Sequence, residues 1–173
     1  MNSWYTVKVK FTKEFQDGTL KRVTEPYLVG SMSFTEAEAR IYAEVGEFIR
    51  GEFLVTSIAR TEFADIFQYD DSDRWYKCKV AYQTEDADTG KEKKVNQDFL
   101  VSAKTSKQAY ERIEESIKGV MDTYEIPAIS LTQIVEIFPY NPEEVEGAGK
   151  KAKASKTKNS SKIKVAIKSA KKK

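Results

Sequence analysis

The sequence predicts an α+β fold: a tandem duplication of a strand–strand–helix–strand unit, forming mostly antiparallel sheet with both helices on one face. Three observations predict it. First, Trp4-Tyr5-Thr6-Val7-Lys8-Val9 returns 71 residues later as Trp75-Tyr76-Lys77-Cys78-Lys79-Val80. Second, later echoes keep the same order. Tyr27-Leu28-Val29 answers Phe99-Leu100-Val101, and Ile66-Phe67-Gln68-Tyr69 answers Ile137-Phe138-Pro139-Tyr140. Third, the pattern stops near Asn141, where a lysine-rich tail begins. The expected organisation is repeat 1 at 1–70, repeat 2 at 71–140, both in one compact domain, and a disordered basic tail at 141–173.

Each element follows from local pattern. Tyr5, Val7, Val9 and Phe11 alternate with Trp4, Thr6, Lys8 and Lys10, the period of a half-buried strand. Asp17-Gly18 marks a tight turn, because glycine accepts positive φ. Leu20 to Gly30 is the second strand. Pro26 has no N–H to give a ladder, which predicts an edge or a bulge. Ser33-Phe34-Thr35-Glu36 and Thr35-Glu36-Ala37-Glu38 both fit a capping box, and Ala37, Ile41, Val45, Phe48 and Ile49 form an apolar helical stripe that Gly51 is expected to end. Phe53 to about Phe63 is a third β-rich stretch. The second copy repeats this plan, with Thr105-Ser106-Lys107-Gln108 again a capping box and Ala109, Ile113, Ile117, Val120 and Met121 as its stripe. One such unit is marginal alone, so the copies are expected to share a core of up to six strands.

Of the 29 basic residues, eleven lie in 150–173, where there is no acid; residues 1–149 hold the other 18 against 27 acids, a net charge of −9. An acidic body with a basic tail is not the profile of a uniformly basic DNA-binding domain. The tail composition cannot bury enough apolar surface to fold unaided. A single cysteine excludes an internal disulfide and fits a reducing compartment. No signal-peptide pattern opens the chain, and no apolar run approaches the ~18–20 residues a membrane span needs. A cytoplasmic location is expected, with no membrane partner.

Catalysis is not expected. Histidine is absent, and there is no glycine-rich phosphate loop or Cys/His metal spacing. No cofactor and no metal site are predicted. Cys78 reads as a small buried hydrophobe. Asp70, Asp71 and Asp73 read as a solvated joint, lacking the length and closing Glu of an EF-hand loop.

The outward sheet face carries the functional expectation. Alternation places Trp4, Lys8, Lys10 and Arg22 there in the first copy, and Trp75, Lys77, Lys79 and Lys94 in the second. Indole rings stack on unpaired bases while cations follow phosphates, which suits single-stranded DNA without sequence readout. Lys150, Lys151 and Lys153 open the tail's contribution, releasing counterions from phosphates. The same residues also fit a plainly solvated face, and Glu92 and Asp98 fall on it. The expected function is therefore non-catalytic nucleic-acid binding, single-stranded DNA favoured, with replication proteins as further partners. The alternative is a protein–protein adaptor or structural component.

The Trp-Tyr-x-x-Lys-Val openings, the Tyr/Phe-Leu-Val strand ends, Phe34-Thr35-Glu36-Ala37-Glu38-Ala39-Arg40 and Glu136-Ile137-Phe138-Pro139-Tyr140 resemble an uncharacterised two-repeat family of gut Bacteroidetes and their tailed phages, crAss-like ones included. The resemblance spans about residues 3–140. It implies a phage or mobile-element setting, where accessory proteins of DNA replication are common.

The tail generates the first prediction. Limited proteolysis should remove the residues beyond about 145 and leave a body with an unchanged thermal midpoint. A large drop in that midpoint would show that the body depends on the tail.

Overall fold

The computed structural model describes residues 2–143. The fold is α+β, with two helices and eight strands among the described residues, the strands forming two mixed four-stranded sheets. The expectations for the tail beyond residue 143 lie outside the described residues.

The chain forms two units. Among the described residues, the first combines 2–62 with 134–143. Its strands are β1 (Ser3–Glu14), β2 (Leu20–Ser31), β3 (Phe53–Thr61) and β8 (Ile137–Phe138), in the order β3-β1-β2-β8, with helix α1 (Phe34–Val45). The second unit spans residues 63–133. Its strands are β4 (Asp65–Phe67), β5 (Trp75–Glu85), β6 (Glu92–Ser102) and β7 (Tyr124–Leu131), in the order β4-β6-β5-β7, with helix α2 (Ser106–Ile117). Two cores of buried residues replace the single six-stranded core that the repeats predict. The reason lies in the two short strands. β4 and β8 complete the outer edges of β6 and β2 by parallel pairing, which makes each sheet four-stranded.

In the first unit, Tyr5, Val7, Val9, Phe11, Tyr27 and Val29 meet Ala37, Ile41 and Val45 of α1. Each fully buried aliphatic side chain contributes about 1.5–3 kcal/mol. The strand register follows the expected alternation, and Gly18 at φ 78° makes the turn between β1 and β2. Asp17 accepts from the Thr19 backbone N–H at 3.0 Å within that turn. Pro26 lies just before β8 joins β2 at Leu28; its carbonyl accepts from the Val135 N–H at 3.0 Å, and its missing N–H falls on that same outer side, where the parallel pairing only begins. Thr56 is an extra residue in β3, because Lys8 opposes Ser57 while Val9 opposes Val55.

Both helices start as predicted. The Ser33 hydroxyl accepts from the Glu36 N–H at 3.1 Å, and the Thr105 hydroxyl accepts from the Gln108 N–H at 3.2 Å. Their ends differ from expectation. α1 stops at Val45 with Gly46 as its cap, not at Gly51. Backbone bonds spanning three residues, from the Glu47 N–H to the Glu44 carbonyl at 3.4 Å and from the Phe48 N–H to the Val45 carbonyl at 3.2 Å, replace the α-helical pattern there, and Phe48 is exposed. α2 ends at Ile117, and Val120 is exposed instead of continuing the stripe.

A pair of arginines holds the closing segments. Arg40 of α1 is buried; its guanidinium donates to the Gly30 carbonyl and, at 2.9 Å, to the Pro139 carbonyl beyond β8. At the matching place in the second unit, Arg112 donates to the Ser102 carbonyl at 2.7 Å and to Asp71 at 2.6 Å, and stacks over the Tyr69 ring at 4.0 Å. The Arg112 hydrogen bond holds the Asp71 carboxyl below its usual pKa, so the stability it contributes is present above the unfolded value and fades as pH falls through the folded one. Gly30 completes the first of these arrangements. A Cβ there would stand 2.5 Å from the Tyr140 backbone nitrogen.

Arg40→Ala should therefore cost about 2–3 kcal/mol, because two strand-end carbonyls lose their donor. Gly30→Ala should cost about 1–3 kcal/mol by overpacking against Tyr140. Urea unfolding checks both; a change within about 0.5 kcal/mol for either would contradict the assigned role.

Candidate nucleic-acid interface

The face of each sheet opposite its helix carries the predicted residues, and the two faces differ. In the first unit, β1 presents Trp4, Thr6, Lys8, Lys10 and Thr12. Across β2 these oppose Gly30, Leu28, Pro26, Thr24 and Arg22. Across β3 they meet Thr61, Ala59, Ser57 and Leu54. These positions include three cations and no acid. Lys8, Lys10 and Arg22 are exposed, and none forms an ion pair among the described residues. Trp4 is half-buried at the other end of the face. Thr6 and Thr61 share a hydrogen bond of 2.6 Å that ties β1 to β3 beside it.

The second unit does not reproduce this surface. Trp75 is 4% exposed, so its ring offers no free face for stacking. Alternation missed this because Trp75 and its neighbour Tyr76 are both buried: β5 is covered on both faces at its start. Lys77 and Lys94 are neutralised, by Asp98 at 4.0 Å and Glu125 at 3.1 Å. Lys79 is exposed but stands opposite Asp98 in the register. Glu92 faces Glu85 across β5 and β6. Lys150, Lys151 and Lys153 lie outside the described residues.

A further feature of the first unit was not anticipated. A cleft of about 410 Å³ is lined by Arg22, Tyr42, Gly51, Glu52, Phe53 and Leu54. Tyr42 is 41% exposed, and its ring lies 5.2 Å from that of Phe53 at 34°. Tyr42 sits on the wet side of the α1 stripe, where periodicity gives no reason to single it out. The only sequence signal is an aromatic at a position that solvent would normally fill with a polar residue.

No cluster of acidic or cysteine side chains among the described residues could hold a metal ion. Among the described residues, no helix is long and apolar enough to cross a membrane. Cys78 is fully buried within the second core, and burial pushes its thiol pKa up to about 12.

The fold and this face define an α+β protein with a cationic sheet surface on its first unit. The chain belongs to a family described as a domain of unknown function (DUF4494), whose profile matches residues 3–140. No curated protein and no solved structure matches it.

The buried thiol yields a prediction that separates a structural cysteine from a reactive one. A disulfide reagent such as DTNB should leave Cys78 unmodified in the native protein at pH 8 and label it at once in denaturant. Rapid native labelling would place the thiol at the surface.

Proposed function

We propose that this protein binds nucleic acid without catalysis, single-stranded DNA by preference, through the helix-free face of its first unit. The observation that carries the reading is the acid-free patch of Lys8, Lys10 and Arg22, beside the neutralised equivalent in the second unit. On a body of net charge −9, an unneutralised cationic face is where a polyanion is attracted. Trp4 supplies aromatic surface on the same face, and the lysines of 150–173 add non-specific attraction.

The proposal extends to origin and setting. The element order strand, strand, helix, strand, short strand occurs twice in the chain, which supports a tandem duplication. On this reading one copy kept or gained a bare cationic face while the other turned its cations toward acids. The resemblance to proteins of gut Bacteroidetes and their tailed phages supports a role in phage or mobile-element DNA metabolism, in the host cytoplasm, alongside replication proteins.

A salt series tests the reading. Each phosphate contact contributes about 0.7 to the log–log slope for single strands. The triple change Lys8→Gln, Lys10→Gln and Arg22→Gln should flatten that slope by about 2, whereas Lys77→Gln with Lys94→Gln should leave it nearly unchanged. Equal effects from the two sets would remove the assignment to the first unit. If the parent binds no oligonucleotide at moderate salt, the face serves a protein partner and the chain is an adaptor.

A further inference from the structure

The cleft beside Arg22 has the dimensions and lining of a binding site. Its volume of about 410 Å³ lies within the ~300–1,000 Å³ range of sites for small molecules. Two aromatic rings, Tyr42 and Phe53, tilted 34° to one another, line it with aromatic surface, and Leu54 stands beside them, 53% exposed. An apolar side chain left this open is normally exposed without consequence, but here three large ones adjoin a cation. Leu54 opposes Lys10 directly across β1 and β3, so the cleft borders the cationic face. Gly51, at φ 91°, turns the chain into β3 and leaves the space before it empty, with no atom within 4 Å of where its Cβ would stand. Glu52 contributes a carboxylate, an acceptor for a ring N–H or an amino group.

We propose that this cleft receives one unpaired nucleobase of a bound single strand. Tyr42 and Phe53 give the stacking surface, and Arg22 and Lys10 hold the flanking phosphates. The proposal rests on the nucleic-acid reading above and deepens it, because it names the aromatic residues that stack where Trp75 does not. The second unit supplies an internal contrast. Its cleft of about 500 Å³ is lined by residues such as Tyr82, Met121 and Asp122, with no cation among them. A strand bound there would meet the Asp122 carboxylate with no cation to offset it, whereas the Glu52 carboxylate of the first cleft shares its space with the Arg22 guanidinium.

Two probes separate base from backbone: a labelled oligothymidylate, and an abasic oligonucleotide of the same length that keeps every phosphate. The parent protein should bind the oligothymidylate more tightly. Tyr42→Ala should weaken that binding by about tenfold and leave abasic binding unchanged, while Tyr42→Phe keeps the parent's preference. Equal binding of the two probes by the parent would overturn the base site and leave the phosphate-binding face standing. An equal loss on both probes with Tyr42→Ala would overturn it too. Absence of binding to either probe would remove the site together with the reading it rests on. A second measurement needs no variant. Photocrosslinking of a thiothymidine oligonucleotide to the parent chain should mark Tyr42 or Phe53, and adducts confined to other residues would refute the site.

Discussion

The constraint on which this structure depends is the closure of two sheet edges by strands that arrive from elsewhere in the sequence. β2 and β6 each leave an outer edge that their own hairpin cannot cover. A parallel partner must come through a crossover, and the chain supplies only two or three residues for it: Ile137–Phe138 for β2 and Asp65–Phe67 for β6. Strands so short contribute few ladder bonds of their own. The arginines of the helices make up the difference. Arg40 joins the end of β2 to Pro139, and Arg112 joins the end of β6 to Asp71 and Tyr69. The planar guanidinium suits this task, since its fork reaches two oxygens at fixed spacing and never loses its charge. Because residues 134–143 complete the first unit, that unit is not continuous in the sequence.

One architectural plan serves two surfaces. In both units the helix-facing side of the sheet is packed with similar side chains, and the opposite side is where they diverge. Asp98 and Glu125 draw in Lys77 and Lys94 of the second unit. Pro26 stands at the position of the first unit that corresponds to Asp98 of the second, so Lys8 finds no acid across the strands, and Lys10 faces the neutral Thr24. Exposed ion pairs of this kind add little to stability, about 0–1 kcal/mol each. Their consequence is electrostatic: they cancel the field that a polyanion would feel. The divergence therefore bears on what each surface attracts rather than on how well each unit folds.

The sequence made the strands and the helix starts legible, because period-two alternation and capping hydroxyls act locally. Tyr5 through Phe11, Ser33 and Thr105 stand where local pattern puts them. The helix ends were less legible. The apolar residues Phe48 and Val120 continue the stripe in the sequence but not in space, once Gly46 and Lys118 end the helices. The pairing of the two closing strands was not legible from the repeats, because the parallel pairing of Ile66 with β6 and of Ile137 with β2 is a long-range choice that leaves no local mark. For the site, alternation located Lys8, Lys10 and Arg22 on one face, yet it could not tell that Trp75 is covered or that Lys77 and Lys94 are neutralised. Those outcomes depend on cross-strand neighbours such as Asp98 and on packing from both sides. Tyr42 was invisible for the same reason: its worth comes from Phe53 and Arg22, far from it in sequence.

The central claim is that one face of the first unit, and not its counterpart, meets the polyanion. Backbone amide shift mapping of the full chain during titration with single-stranded DNA tests it most directly. The account predicts progressive shifts at Lys8, Lys10, Arg22, Thr24 and Leu54, with Lys77, Lys79 and Asp98 unmoved. Shifts concentrated on β5 and β6, or confined to residues beyond 150, would contradict it.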